Sequence, residues 1–375
     1  PSHFKVIRHI RPKMSCRACE TIVQAPMPSL PIERGLYGPK LLAHIITAKY
    51  CDHLPLHRQS GIYARSGITI ARATLADNVG RLAWLLRPLA EAIGCHVRAG
   101  EVLHADDTPV PVLDPGRKQT KTARLWVVVR DERTWGSPEP PAVFYRYSPD
   151  RKGMHAEALL GSCRGFLHAD AYAGFNPLYG AAREAPRLSE VACWAHARRY
   201  LFEENATRPS PAAQEALERI GRLFAIEAQI RGSSPAERLA VRQSHSVPEL
   251  FALKTLLEAA LQKISGKTEL AKAIRYATSR WAALTRYTTD GRLEMSNNAA
   301  ERAIRPLALG RNNWIFAGSD KGGERAALMY TLIESAKMNG LDPEAWLADV
   351  IASIADHPIK RVTELLPWKY KDERR

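Results

Sequence analysis

The sequence predicts an α/β protein whose mixed sheet is interrupted by a large helical block. Three observations carry that prediction. Residues 101–196 read in the order β-β-β-α-β-α-β, as short apolar runs separated by glycine and proline turns. Two of those strands repeat one arrangement, His104-Ala105-Asp106 and His168-Ala169-Asp170, each behind an apolar run. Residues 197–290 lose the strand pattern, are almost wholly helical, and are read as an insertion. Three antiparallel strands followed by parallel β-α-β additions describe a ribonuclease-H-like sheet. In that sheet the first and fourth strands lie side by side, which brings Asp106 and Asp170 together.

Taken in order, residues 4–11 alternate apolar and basic side chains as a strand does, and the chain opens like the middle of a domain. Cys16 and Cys19 follow as Cys-x-x-Cys, half of the four ligands that tetrahedral zinc requires, so 1–30 is read as a partial zinc-binding region. Three prolines in 25–31 make a linker. Residues 31–100 are helical. A helix is expected over 39–49, then two helices about a tight turn at Gly67, the second capped by Thr69 or a neighbour. That is helix-turn-helix spacing, and Arg72, Thr74 and Asn78 on the second helix are candidates to reach base edges. An ordinary helical hairpin has the same pattern. A separate amphipathic helix is expected over 80–96, with Leu82, Leu85, Leu86, Leu89 and Ile93 on one face.

Within 101–196, Val102 and Leu103 read as a strand that leaves the core at Asp106 and Asp107. Further strands are expected over 123–130, 142–147, 165–169 and 191–194, with helices over 155–160 and 177–183. After the insertion, 291–356 returns to the core. Ser296 or Asn297 caps a helix that Pro306 ends, and Asn298, Glu301 and Arg305 share one face of it. A basic, glycine-rich loop over 310–323, a helix over 324–338 and the segment 343–356 complete the fold. In the tail, 357–375, the run Leu365-Leu366-Pro367-Trp368-Lys369-Tyr370 reads as an apolar clasp.

Composition narrows the function. The 375 residues are 45% hydrophobic and 25% charged, ordinary for a folded domain, and no apolar run approaches the ~18 residues that span a bilayer. No signal peptide is visible, and six irregularly spaced cysteines argue against a disulfide scaffold, so a cytoplasmic location is expected. The net charge is +15, and residues 1–100 hold 14 basic against 5 acidic residues. A basic excess concentrated at one end suggests a polyanion partner, most often nucleic acid. Carboxylates delivered to one place by two strands suit a hard divalent cation such as Mg²⁺.

His104-Ala105-Asp106-Asp107-Thr108-Pro109-Val110, His168-Ala169-Asp170-Ala171-Tyr172, the helix around Glu301 and the ending Glu364–Tyr370 together resemble the transposase of insertion sequence sixty-six elements. The likeness runs from the Cys pair to the Pro-Trp near the end. Cys193-Trp194-Ala195-His196-Ala197-Arg198-Arg199 matches a recurring segment of the same family, and by itself reads as a strand end with a buried thiol. The resemblance implies a DDE transposase with Asp106, Asp170 and Glu301 as its triad, holding two Mg²⁺ or Mn²⁺ ions about a scissile phosphate. It also implies a zinc-binding region and helix-turn-helix in front, where an upstream Cys pair expected of the family is missing. Asp107 then falls to a supporting role, and Arg305 and Lys321 are candidates to hold DNA phosphate. The partners implied are terminal-repeat and target DNA, a second copy on paired ends, and accessory proteins of the same element. The rival reading is a catalytically inactive remnant that only binds terminal repeats.

Overall fold

The structure, a computed structural model, describes residues 4–114, 116, 119–180 and 187–370. Contacts divide the chain into two compact units, Pro1–Leu89 with Asp342–Arg375, and Ala90–Leu341.

In the first unit, β1 (Lys13–Ser15) and β2 (Ile22–Gln24) form an antiparallel hairpin around the Cys pair. The strand expected over 4–11 is absent, and the strand pairing begins two residues later. Residues 4–11 are almost all exposed, so their alternation has no second layer to pack on. Helix α1 (Pro39–Tyr50) buries Leu42, Ile45 and Ile46 against α14 (Pro343–Ser353), whose Trp346, Leu347 and Ile351 are fully covered. The clasp in the tail is present: Leu366 is buried, and Trp346 Nε1 donates to the Leu365 carbonyl at 3.3 Å.

Helix α2 (Leu56–Arg65) ends at a turn in which Gly67 takes φ +82°, a left-handed conformation that favours glycine. Beyond it the two expected helices are one: α3 runs Arg72–Arg98 without a break. Pro88 lies inside it, since a proline deletes a single ladder hydrogen bond and the apolar stripe from Leu75 to Val97 outweighs that loss.

The second unit is built on a five-stranded mixed sheet in the order β5-β4-β3-β6-β7. Its strands are β3 (Val102–Leu113), β4 (Thr120–Arg130), β5 (Ala142–Ser148), β6 (Gly165–Ala169) and β7 (Leu188–Ala192). β3, β4 and β5 are antiparallel, and β3, β6 and β7 are parallel. β3 therefore occupies the centre. It does not stop at Asp106 and Asp107: pairing with β4 continues from His104↔Val129 to Leu113↔Thr120. On its other side, pairing with β6 ends at His104↔His168. The carboxylates lie where one flank of the strand opens.

Helices α4 (Gly153–Leu160) and α5 (Asn176–Tyr179) connect these strands; the rest of the expected 177–183 helix falls partly outside the described residues. The helical block is α6 (Trp194–Thr207), α7 (Pro211–Gln229), α8 (Pro235–Val241), α9 (Val247–Lys263), α10 (Glu269–Ser279) and α11 (Trp281–Thr285). Trp194, expected at a strand end, is instead the first residue of α6. Its backbone N–H donates to the Met295 carbonyl and its indole to the Leu284 carbonyl. The block and the end of the sheet share one core, which includes Val191, Trp194, Ile220, Leu253, Ile274 and Leu284.

Two helices return to the sheet, α12 (Asn298–Gly310) and α13 (Asp320–Met338). Pro306 does not end α12, which continues for four more residues. α13 starts earlier than expected because Ser319 caps it, accepting from the Gly322 N–H at 3.1 Å. α13 covers the open edge of β5, where Thr331 and Ser335 hydroxyls accept from the Tyr145 and Val143 N–H groups. Among the described residues no helix is long and apolar enough to cross a membrane.

Candidate functional site

The two His-Ala-Asp segments meet through their histidines. His104 and His168 stack with ring centroids 4.2 Å apart and planes 16° apart, both buried. Each ring has a fixed job. His104 Nδ1 lies 3.2 Å from Asn297 Oδ1, and the His168 ring is held by the Leu103 carbonyl and the Glu294 backbone. Burial pushes His104 down to about 4 and His168 well below the ordinary imidazole range, so both are neutral at pH 7. They stack between the two strands that lead to the aspartates.

Two residues beyond each histidine come the carboxylates. Asp106 is largely buried, and its Oδ1 accepts from the Asp107 N–H at 2.7 Å. Burial raises its pKa to about 7, the Asp107 N–H opposes that rise, and the charges of Asp170, Asp107 and Glu301 add to it. Asp170 lies just past the end of β6, is a quarter exposed, and accepts from the Tyr172 N–H at 3.0 Å. Glu301 sits in the first turn of α12, one-third exposed. The charges of Asp170 and Glu301 both act on Asp106, although among the described residues the three carboxylates do not form a set with every ligand oxygen within 4.8 Å of the others. All three offer oxygen, the donor that Mg²⁺ and Mn²⁺ prefer.

Asp107 has a different setting. Its side chain is fully buried, Arg151 Nε and Nη2 donate to its Oδ1 at 3.0 and 2.8 Å, and Arg124 Nη1 lies 3.1 Å from its Oδ2. Arg151 also comes within 3.8 Å of Asp170 Oδ2 and lies over the Tyr172 ring. Nothing in the sequence singled out Arg151, since its partners are far away along the chain.

Asn297 is the other residue that sequence reasoning underrated. It was a capping candidate, yet its side chain makes no cap. It is fully buried, its Nδ2 donates to the Ala105 carbonyl at 2.8 Å, and its Oδ1 faces His104. Its backbone N–H reaches Cys193 Sγ at 3.2 Å. One amide therefore fixes the helix of Glu301 against the strand of Asp106. Behind it, Arg238 and Arg242 of the helical block, both buried, bond the Leu293 carbonyl and pair with Glu227, and Arg238 also holds Glu294.

Cys193 and His196 join this corner. Cys193 precedes α6 and is buried; His196 Nδ1 lies 3.6 Å from Glu301 Oε1.

The remaining sequence candidates are spread out. Arg305 and Lys321 are exposed, as are Arg72 and Thr74. Asn78 is buried and its amide is spent on the Thr74 carbonyl at 2.7 Å, which leaves it no surface from which to read a base. Cys16 and Cys19 are exposed in their hairpin, and among the described residues no third Cys, His, Asp or Glu completes a metal cluster with them. The Cys19 thiol is lowered by hydrogen bonds, first to the Thr21 side chain.

Comparison with known proteins gives two family matches. The model described as "Transposase IS66 family" matches residues 34–325, and "IS66 C-terminal element" matches residues 331–368. The chain is 44% identical over 383 residues to the uncharacterized protein y4hP of Sinorhizobium fredii, covering 99% of this chain and 69% of that one. It is 40% identical over 377 residues to the uncharacterized protein y4jD of the same organism, covering 99% of this chain and 74% of the relative.

Proposed function

This chain belongs to the IS66 family of transposases, and on that premise we propose that it is a DDE transposase performing metal-dependent DNA cleavage and strand transfer. The observation that carries the reading is the family match together with the placement of Asp106 on the central strand, beside the β6 strand that ends one residue before Asp170; burial raises Asp106 to about 7, and the charges of Asp170 and Glu301 add to that rise. Such crowding of negative charge is what a divalent cation relieves. Asp106, Asp170 and Glu301 would hold Mg²⁺ or Mn²⁺, two ions in the family's chemistry. When bound, the metal lowers the pKa of an attacking hydroxyl and stabilises the leaving oxygen of the phosphodiester.

The protein's own residues do the positioning. Stacked His104 and His168 set the spacing of the strands that carry the two aspartates, and Asn297 sets the helix that carries the glutamate. Arg151 ties Asp170 to Asp107 and keeps a positive charge beside the carboxylates. The strand order, with the central strand flanked by an antiparallel meander and two parallel strands, supports a ribonuclease-H-like core. The α2–Gly67–α3 turn supports a helix-turn-helix for terminal repeats, with exposed Arg72 and Thr74 as contacts. Arg305 and Lys321 are exposed and suited to backbone phosphate. A pair of chains on paired element ends, with the element's accessory proteins, completes the proposal.

The test is strand transfer by Asp106→Asn, Asp170→Asn and Glu301→Gln on end DNA with Mg²⁺. Each loses transfer by at least about a hundredfold, while gel-shift affinity for the ends stays within about threefold. Full transfer by any one variant removes that residue from the triad.

A further inference from the structure

We infer that Cys193, His196 and Glu301 form a second kind of metal site, one for a borderline-soft divalent cation of the zinc class. Their ligand atoms (a thiol sulfur, an imidazole nitrogen and a carboxylate oxygen) all lie within 4.8 Å of one another. No other group of three such residues converges in this way among the described residues. Sulfur and nitrogen in one set select against Mg²⁺ and for Zn²⁺, which takes Cys, His and Glu in tetrahedral sites.

Two further features point to a ligand. His196 Nδ1 and Glu301 Oε1 are both buried atoms with no hydrogen-bond partner, and they face each other at 3.6 Å. Buried polar atoms without partners are rare in folded proteins, and a shared ion satisfies both at once. The Cys193 sulfur already accepts the Asn297 N–H at 3.2 Å, an outer hydrogen bond of the kind that steadies a metal thiolate.

The charge balances. Cys193 releases its proton on binding, so the thiolate and the Glu301 carboxylate together neutralise a divalent ion. Three protein ligands leave the fourth tetrahedral position for water. Bound there, the ion ties the start of α6 to the first turn of α12. This site and the proposed triad share Glu301, so the two ions would use different oxygens of one carboxylate, Oε1 facing His196; the test reads metal binding without reading transfer.

The experiment is a Co²⁺ titration of the full chain carrying Cys16→Ser and Cys19→Ser, which removes the N-terminal thiol pair. The expected result is a tetrahedral cobalt spectrum with charge transfer from a single thiolate, saturating at one ion per chain and displaced by Zn²⁺. His196→Ala and Glu301→Gln, checked for unchanged circular dichroism, each weaken binding by about tenfold or more. Cys193→Ala abolishes the charge-transfer band; should that buried change unfold the chain, His196→Ala decides. A chain with no thiolate band, or a band equally strong in His196→Ala, overturns the site.

Discussion

Asp106 and Asp107 are chain neighbours of the same chemical type, yet they predict stability changes of opposite sign. Asp106 carries a pKa raised to about 7, so without metal the folded state holds a proton that the unfolded chain releases. Its penalty grows as pH rises from the ordinary carboxylate range to about 7 and then levels off. Asp106→Asn should therefore stabilise the metal-free protein, more at pH 8 than at pH 5. Asp107 is buried between Arg124 and Arg151. Asp107→Asn leaves two guanidinium groups without their carboxylate and should cost about 2–4 kcal/mol. Urea melts of both variants at the two pH values check the signs. The histidine pair adds an acid limit. His104 binds its proton less well folded than unfolded, so its contribution is intact above the ordinary imidazole pKa and is lost as pH falls toward about 4. At about pH 5 it alone removes about 2 kcal/mol. His104→Gln, compared with the parent across that range, should flatten the loss.

At the scale of elements, the sequence carried the strands and the long helices because their patterns are local. The runs ending in Asp106 and Asp170 could be placed from their apolar residues, and the helix of Glu301 from the capping residues ahead of it. Helix ends were less legible: the break expected ahead of residue 80 is absent from α3, and Pro306 sits inside α12 because distant packing outweighs one missing hydrogen bond. The supports of the site were not legible at all. Asn297 meets Ala105 and His104 across roughly 190 residues, and Cys193 meets Glu301 across more than a hundred, separations that no periodicity encodes. Gly165 is a checkable case. It takes φ +99° at the start of β6, and a Cβ there would lie 2.2 Å from the Glu101 carbonyl oxygen, which accepts from the Phe166 N–H. Gly165→Ala should cost about 1–3 kcal/mol and lower transfer by displacing the strand of Asp170. Thermal melts alongside transfer assays separate the two effects.

For the whole molecule, a +15 chain whose excess is concentrated in its first hundred residues should bind DNA largely through phosphate. Each phosphate contact costs about a 3.5-fold loss of affinity when salt rises about fourfold, so Arg305→Ala and Lys321→Ala should each make the salt dependence shallower. Arg72→Ala should instead reduce the preference for end DNA over random DNA, if α3 reads bases. Competition gel shifts at two salt concentrations distinguish those outcomes. The helical block between β7 and α12 also has a stated job at this scale. Its buried Arg238 and Arg242 hold the Leu293 carbonyl just ahead of the Glu301 helix.

The central claim is that Asp106, Asp170 and Glu301 hold the catalytic metal together. It is tested most directly by anomalous scattering from crystals of the chain bound to pre-cut end DNA in Mn²⁺. Anomalous density within bonding distance of Asp106, shared with Asp170 or Glu301 and with the DNA phosphate, is the predicted result. Manganese bound at the scissile phosphate by other side chains, with these three carboxylates untouched, would contradict it.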